Sequence, residues 1–477
     1  MLRALLVAFA ADQSLGVQHL SEAHGLGAAA IPADKRPGSV RSLLCALLLL
    51  APVLTIGGAM AQGQSNPAPH SGHSPSGMGM VDMNPASMFL MNLSSGTAVN
   101  PAAWPMPMIM AHFGHWNTMF MGLAFLPETQ QSGPRGRDKL YSTNWFMASA
   151  EHRVGSDDAF QAHLMLSLEP ATITDRRYPL LFQTGETAYG RPLTDAQHPH
   201  TLIMALGFHY AHQIAEDTTL DLYFAPVGDP ALGPVAFPHR ASAMELPEAP
   251  ISHHWQDSTH IADEVVTVGI QYKIVKLEAS GFYGSEPGEN RWIVQSGPIN
   301  SWSARLWFLP TKYWAAQVSF GRLARPELLE PGDQTRVTAS VEYTRPMPGG
   351  SWSSSLIWGR IHSTASLRNL NSFLAESVLP VTRRNFITGR FELVDKDDLF
   401  SDQPSLESSL DALYGSTFRV GEYTLGYTRD IDVFRCVQTG IGANFTTYTL
   451  PNAIKPFYGS RPVGGNVFVR FRLRSRK

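Results

Sequence analysis

From about Phe113 onward, apolar and polar residues alternate strictly in many stretches of eight to ten residues. In EVVTVGIQYKI, residues 264–274, valine, isoleucine and tyrosine occupy one parity, and mainly threonine, glycine, glutamine and lysine occupy the other. The same alternation occurs in VTASVEYT, residues 337–344, and in NVFVRFRLR, residues 466–474. Because successive side chains of a β-strand point to opposite faces, this period predicts strands with one apolar and one polar face.

The connections between these stretches alternate in length. Fifteen stretches can be counted, separated by long segments such as 169–201 and 226–263 and by short ones such as 214–217. Long loops at one rim and tight turns at the other are typical of outer-membrane barrels, whereas a soluble β-sandwich has no reason for such regularity. Single-chain bacterial barrels use an even number of strands, and the segment 395–415 is long where a short one is expected, so one stretch in the last third is misjudged. We predict an all-β fold, an antiparallel transmembrane β-barrel of about 14 strands, within the range of 12–16.

Aromatic residues near the strand ends favour the same interpretation. Membrane barrels place girdles of tryptophan and tyrosine at the two interfaces of the bilayer. The alternative is a set of ordinary core aromatics in a β-sandwich. The residues that we expect in such girdles are Trp302, Trp307, Tyr313, Trp314, Trp352 and Trp358.

Composition narrows the class of protein further. The chain has 477 residues, of which 16% are charged, with a formal net charge of −3. The charged fraction is low beside the roughly 25% of soluble domains. A charge near neutrality argues against a nucleic-acid-binding surface, so the expected partners are outer-membrane lipid and a metal ion or small solute.

A targeting segment precedes the predicted barrel. Residues 40–61 contain Arg41, an apolar run over 43–56 and a small-residue end at Ala61, which is the anatomy of a secretory signal peptide. We interpret residues 1–39 as an extension from a misassigned start, the alternative being a long basic region of the signal itself. Removal of the signal peptide would also remove Cys45, so the mature chain would hold one thiol and no internal disulfide.

Residues 62–110 are rich in proline, serine, glycine and methionine and show no periodicity, so we predict a disordered tail before a barrel over 111–477. Methionine thioethers are soft ligands that suit Cu(I), and imidazole serves Cu(II) as well. The alternative is a biased linker with no ligand role. The candidate copper ligands of this region are Met78, Met80, Met83, Met106, Met108, Met110, His112 and His115.

Histidines are concentrated in two consecutive long loops. The segment DAQHPHTLIM supplies His198 and His200 at the end of one loop. The next loop contains AFPHRASAMELPEAPISHHWQDSTHI. Both loops emerge at the same rim of the predicted barrel and could meet there. The candidate ligands of the second loop are His239, His253, His254, Asp257 and His260.

The segment SHHWQDSTHI, residues 252–261, has three possible roles. On a helical turn His253, Asp257 and His260 share one face and could hold zinc, copper or ferrous iron, whereas an extended segment would divide them. The same groups could instead tie a plug loop to the barrel wall, with Trp255 as a packing anchor. Catalysis has least support, because the chain contains no Gly-x-Ser-x-Gly, His-Glu-x-x-His or phosphate-binding glycine motif.

Four motifs carry a resemblance to a known group of proteins: GRPLTDAQHPHTLIMALGFHYAH, LYFAPVGDPALGPVAFPHRASA, SHHWQDSTHI and GSEPGENRW. With them the chain resembles a family of uncharacterised bacterial outer-membrane β-barrel proteins over most of residues 110–477. The resemblance implies the barrel and an association with copper handling. The tail-and-barrel architecture is also loosely similar to the copper resistance protein B family, with no ligand carried over.

Three hypotheses follow for function. The first is an outer-membrane barrel that binds or passes metal ions, with copper as the expected ion, through the methionine- and histidine-rich tail and the histidine-rich loops. The second is a general small-solute, porin-like barrel whose histidines hold a structural plug loop. The third is a membrane-embedded enzyme, although we expect no catalytic activity and no cofactor other than copper.

Overall fold

A closed antiparallel barrel of sixteen strands makes up most of the computed structural model, which describes residues 83–474 except Arg435. The predicted extension, the signal peptide and residues 62–82 of the predicted tail lie outside the described residues. The strands are β1 Trp116–Gln131, β2 Thr143–Val154, β3 Asp158–Leu166, β4 Ile203–Ala215, β5 Thr218–Gly228, β6 Ala262–Tyr272, β7 Val275–Tyr283, β8 Ser301–Thr311, β9 Trp314–Leu323, β10 Gln334–Met347, β11 Gly350–Ser363, β12 Asn369–Thr382, β13 Asn385–Lys396, β14 Phe418–Asp430, β15 Val437–Thr449 and β16 Val463–Leu473.

The barrel closes between its first and last strands. One half of β1 pairs with β16, from Leu123 opposite Arg472 to Gln131 opposite Gly464. The other half of β1 pairs with the short strand Ile109–Phe113, which continues the line of β16. Every barrel strand therefore has a neighbour on both sides, and no open edge of hydrogen-bonding groups is left for lipid to meet.

The apolar parity of the strands faces outward. In β6, Val266, Val268 and Ile270 are exposed, while Thr267 between them is 1% exposed and points into the lumen. This arrangement is the reverse of a soluble barrel, because the surrounding lipid is the apolar solvent and the lumen is polar. The prediction of an antiparallel transmembrane β-barrel is confirmed.

The strand number is sixteen and not about fourteen, because β12 escapes the alternation test. Its inward face carries Leu370 and Leu374 beside Glu376, and its outward face carries Asn371 and Ser377. Both faces are mixed, since Leu370 packs against apolar groups in the lumen. With this strand included, the connection 397–417 lies at the rim of the long loops, and the one departure from the alternation is that 364–368 at this rim is slightly shorter than 431–436 at the other.

Five of the six predicted girdle aromatics point outward or lie in turns at the rim. Trp302, Trp314 and Trp352 are exposed on the outer face. Trp307 is the exception, because its side chain is fully buried in the lumen and donates a hydrogen bond from Nε1 to Glu278 at 3.0 Å. The girdle prediction is therefore wrong for Trp307, whose position in β8 has the inward parity.

The helices are short: α1 Pro85–Met91, α2 Glu169–Thr172, α3 His253–Gln256, α4 Pro404–Tyr414 and α5 Lys455–Tyr458. Of the helices in the described part of the chain, none is long and apolar enough to cross a bilayer. Long connections join the strands at one rim and turns of a few residues join them at the other. In bacterial barrels the long loops are extracellular and the short turns periplasmic.

Residues 83–108 differ from the disordered tail that their composition predicts. Asn84 caps α1, because its side chain accepts a hydrogen bond from the Ser87 backbone N–H at 2.8 Å. Ala86, Ser87 and Leu90 of the helix are buried. The side chain of Asn84 also donates to the carbonyl of Asp158 at 2.9 Å, so this segment is attached to the barrel wall inside the lumen.

Candidate functional site

The loop between β5 and β6, residues 229–261, fills much of the barrel lumen. Every residue of this loop is buried except Phe237 and Glu248, which are half-buried. We call these residues the plug. A segment of this length that leaves the wall and returns to the same rim can be buried only inside the barrel, where its backbone and side chains find polar partners.

One arginine connects the plug to two acidic groups. Arg240 has a fully buried side chain, and its Nε lies 2.6 Å from Glu376 of β12. Its Nη1 lies 3.0 Å from Asp257, further along the plug. Arg390 of β13 contacts the other oxygen of Glu376 at 3.0 Å. This network fixes the plug to the wall and also holds two parts of the plug to each other.

Further polar contacts attach the plug around the lumen. The backbone N–H of Ala231 donates to Ser280 of β7 at 2.8 Å, and that of Gly233 donates to Ser319 of β9 at 2.8 Å. The backbone N–H of Ser252 donates to Glu392 of β13 at 2.9 Å. The plug is thus held by hydrogen bonds and ion pairs at many points of the wall.

The helix α3 touches the wall at a glycine. A Cβ atom on Gly359 of β11 would lie 2.3 Å from the carbonyl oxygen of Trp255. Real Cβ atoms do not approach an oxygen so closely, so only glycine lets α3 sit at this height. Trp255 itself packs in the apolar cluster between plug and wall, which agrees with the anchor role predicted for it.

The structure gathers the histidines of the two loops, as the alternation of loop lengths predicts. Ring centroids lie 5.4 Å apart for His253 and His254, 5.2 Å for His253 and His260, and 5.4 Å for His200 and His260. His198 and His254 both approach Glu186, at 2.5 Å and 3.7 Å between a ring nitrogen and the carboxylate. The first histidine loop therefore packs directly on the plug.

Asp257 is not a free ligand. Its carboxylate pairs with Nδ1 of His253 at 2.7 Å and with Arg240. The Arg240 network and the His253 ring hold the pKa of Asp257 well below its ordinary value despite burial. His260 donates a hydrogen bond from Nδ1 to the carbonyl oxygen of Asp257 at 2.8 Å, so His253, Asp257 and His260 are linked to one another within the plug.

His254 has the features of a metal ligand. Its ring is 3% exposed, and neither ring nitrogen has a hydrogen-bond partner among the described residues. Ligand atoms of Glu186, His198 and His254 lie within 4.8 Å of one another, and the same is true of His254, Glu286 and Glu327. Two imidazoles and a carboxylate form a donor set that suits zinc, copper or ferrous iron.

The histidines of this cluster are neutral, as ligand binding requires, whereas burial raises the pKa of its carboxyl groups and shifts them towards the protonated form. Burial lowers the pKa of His254 well below its ordinary value, so the ring is neutral. Burial, followed by the charge of Arg291, has the same effect on the pKa of His198. Burial and the neighbouring Glu186 carboxylate raise the pKa of Glu286 to about 7.

The remaining predicted ligands are dispersed. His200 pairs with Glu169 at 2.9 Å, and His239 lies in another part of the lumen, 3.2 Å from the sulfur of Met165. The side chain of His112 bonds Asn117 at 2.8 Å, and His115 lies beside His152 at the short-turn rim. Met78 and Met80 lie outside the described residues. The other predicted methionines, Met83, Met106, Met108 and Met110, are partly buried.

Several residues of the site were not singled out from the sequence. Glu186 and Glu327 carry no motif, and Glu286 lies in the GSEPGENRW segment without a metal-ligand spacing. Arg240 follows His239 directly, but only the folding of the plug into the lumen brings it to Glu376 of β12. If β12 had been recognised in the sequence, the position of Glu376 on its inward face would have shown a carboxylate in the lumen.

A closed barrel with an apolar outer band, a polar lumen and loops of alternating length is an outer-membrane β-barrel protein of bacteria. No protein-family model matches the chain, and no curated protein is similar to it in sequence. The barrel that the four motifs imply is present, whereas the family resemblance of those motifs, the similarity to the copper resistance protein B family and the copper association stay predictions.

Solved structures with a similar fold are porins and related channels. An anion-selective porin from Comamonas acidovorans has 10% identity and a TM-score of 0.47, covering 75% of this chain and 100% of that chain. OmpF of Salmonella typhi, in complex with daunomycin, has 7% identity and a TM-score of 0.48, covering 76% and 100%. OprB of Pseudomonas putida has 9% identity and a TM-score of 0.46, covering 75% and 94%. At these values the likenesses carry no conclusion about solute or mechanism.

Proposed function

We propose that the protein is a porin-like outer-membrane barrel that passes small solutes when its plug moves. The observation that carries this proposal is the attachment of the plug by charged and hydrogen-bonded contacts, with the Arg240 network at its centre. A barrel that only needed a filled interior could use apolar packing, since buried ion pairs add little net stability.

Polar attachment also makes movement of the plug feasible. When the plug leaves the wall, water can solvate Glu376, Asp257 and Arg240, so the free energy lost is smaller than for unpacking an apolar core of equal area. The wall behind the plug is lined by serine, threonine and charged side chains, which suit an aqueous path.

Proteoliposome swelling tests this function directly. Liposomes that contain the purified barrel should swell in small sugars or amino acids and should exclude large oligosaccharides. Liposomes without protein, and liposomes with heat-denatured protein, are the controls. No swelling with any small solute, for a barrel that migrates as folded protein on a gel, would refute the proposal.

A second candidate function is the binding or passage of metal ions, with copper as the expected ion. The observation that favours it is His254, a buried and neutral imidazole whose two nitrogens have no hydrogen-bond partner among the described residues. A buried polar atom without a partner is costly, and a metal ion shared with His198 and Glu186 would remove that cost.

Metal analysis of the protein purified from membranes in detergent tests the second function. The His254→Phe variant keeps a ring of similar size and should lose the ion held between His254, His198 and Glu186, while His212→Phe, at a half-exposed histidine paired with Asp158, should keep it. Equal metal content in both variants would remove the support that His254 gives to this function.

A further inference from the structure

A second cluster of soft-ligand side chains lies deeper in the lumen. A cavity of about 40 Å³ is enclosed by the N-terminal segment, the plug and the inner faces of β1–β4. Seven methionine and four histidine side chains line it. Its volume has room for an ion or a few waters and is too small for an organic solute.

The methionines come mainly from the barrel wall and stand at one height. Met121 of β1 is directly opposite Met147 of β2, and Met147 is directly opposite Met165 of β3. Met121 and Met165 are 4% exposed, and all three have the inward parity of their strands. The register therefore places three thioethers side by side across adjacent strands; Ala205 of β4 is opposite Met165, and Met204, at the bulge beside it, also lines the cavity.

Two histidines complete the cavity. His239 of the plug directs Nε2 to the sulfur of Met165 at 3.2 Å, and its Nδ1 has no hydrogen-bond partner among the described residues. Nε2 of His260 likewise lacks a partner in the described part of the chain. Burial lowers the pKa of His239 to about 4, so its ring is neutral and can donate an electron pair to a cation.

Ordinary core packing does not account for this combination. Methionine is a common filler of irregular gaps, and three in a row could serve that purpose alone. Buried imidazole nitrogens without partners, however, lose their hydrogen bonds to water and gain nothing from thioether neighbours. A soft cation in the cavity would give the thioethers and an imidazole nitrogen a common partner.

We propose that this cavity binds a soft monovalent cation, Cu(I) or Ag(I), through the thioethers of Met121, Met147 and Met165 together with His239. Thioether sulfur prefers soft cations, and imidazole binds them as well. The Asp229 carboxylate at the cavity edge adds a negative charge when it is ionised. Binding of the ion involves no change of oxidation state of the protein.

Neighbouring histidine rings lie between the cavity and the His254 cluster. His260 lines the cavity, its ring lies 5.2 Å from that of His253, and His253 lies 5.4 Å from His254. This proposal rests on the metal-ion function proposed above and adds a second binding site to it. Binding of an ion in the cavity can be measured whether or not the barrel transports that ion.

The test is a titration of the full-length barrel in detergent with Ag⁺, which avoids copper oxidation. Bound silver is measured after dialysis, and a parallel titration uses Cu(I) held by bicinchoninate as competitor. The triple variant Met121→Leu, Met147→Leu and Met165→Leu conserves volume and removes the sulfur. Loss of one outer-shell partner lowers the affinity of a metal site by roughly 10–100-fold. Loss of three ligand sulfurs should lower the affinity of this variant for the cavity ion by more than that.

The matched control replaces Met78, Met80 and Met83 of the predicted tail by leucine and should retain the ion. X-ray absorption of bound copper should show sulfur neighbours in the control and not in the cavity variant.

If the cavity variant does not fold, Met165→Leu alone serves, since it removes the sulfur that His239 faces. Unchanged Ag⁺ binding in folded cavity variants, loss of binding in the tail variant alone, or no tight binding by the wild type would each overturn the proposal. The His254→Phe variant should still bind Ag⁺ here, which separates this site from the one at His254.

Discussion

Replacing Arg240 by methionine should release the plug. The arginine makes three hydrogen bonds with its fully buried side chain: to Glu376 at 2.6 Å, to Asp257 at 3.0 Å and to the carbonyl of Val235 at 3.1 Å. Breaking a buried ion pair by removing one partner costs about 3–5 kcal/mol, because the other charge stays buried. The cost falls on the docked plug, since water solvates the same carboxylates when the plug is released.

The lower end of that range applies here. Glu376 keeps Arg390 at 3.0 Å, and Asp257 keeps His253 at 2.7 Å, so neither carboxylate loses all compensation. A change of about 3 kcal/mol shifts the ratio of released to docked plug by roughly 100-fold. We therefore expect the open fraction of Arg240→Met to rise about 100-fold above that of the wild type, or to saturate.

Single-channel recording in planar lipid bilayers measures this open fraction. The control is Arg322→Met, which removes an ion pair with Asp333 whose arginine side chain is 46% exposed. An exposed pair is worth about 0–1 kcal/mol, so the control should behave as the wild type. Folding of each variant is checked by heat-modifiable migration on a gel. An unchanged open fraction in folded Arg240→Met would refute the role of this network in closing the barrel.

Three further predictions address the plug and the bilayer. Gly359→Val places a side chain against the carbonyl oxygen of Trp255 in α3 and should raise the open fraction. The control Gly389→Val should not, because the nearest atom to a Cβ there is 3.9 Å away. Equal conductance of the two variants would count against the close contact at Gly359. Val268→Arg, on the lipid face, should destabilise the barrel in urea titrations by about 2–4 kcal/mol. Leu413→Arg, at an exposed apolar residue of the loop helix α4, should cost little. Similar losses of stability in the two variants would contradict the position of β6 in the bilayer. Burial raises the pKa of Glu248, so docking of the plug is favoured at low pH and weakens as pH rises through that raised pKa. Glu248→Gln should remove this part of the pH dependence, so the open fraction should rise less with pH in the variant than in the wild type; an equal or larger rise in the variant would contradict the sign.

The strands that the alternation predicts are those whose two faces meet uniform surroundings. β6 has lipid on one side and polar lumen on the other, so its parity is clean. In β12 the inward face meets both an apolar cluster at Leu370 and the charge of Arg240 at Glu376, so the period disappears. The odd strand count and the misplaced long connection still located the missing strand in the correct third of the chain.

Composition was a poor guide to residues 83–108. A segment with little apolar periodicity was expected to be disordered, yet Asn84 followed by Pro85 is a helix start signal, and Ala86 and Leu90 are spaced for one buried face. The lumen supplies partners that a free tail would lack. Lys276 of the wall, for example, donates to the carbonyl of Thr97 at 2.8 Å.

The candidate sites depend on contacts between strands and loops that sequence spacing does not encode. The approach of His198 to His254 followed from the alternation of loops, but the carboxylate between them, Glu186, did not. Met165 shares its parity with Gln161 and His163 on the polar face of β3, which marks it as inward. The row that it forms with Met147 requires the register of two hairpins, which the sequence leaves open.

A reversible lock on the plug tests the central claim most directly. Ser242 of the plug and Ser355 of β11 have hydroxyl oxygens 2.6 Å apart, so cysteines at both positions should form a disulfide. The pair is introduced into the Arg240→Met barrel with Cys436 replaced by serine. The oxidised protein should be closed in planar bilayers, and a reducing agent should restore the conductance of Arg240→Met. Equal conductance before and after reduction, with the disulfide verified by mass spectrometry, would contradict the account that movement of this loop opens the barrel.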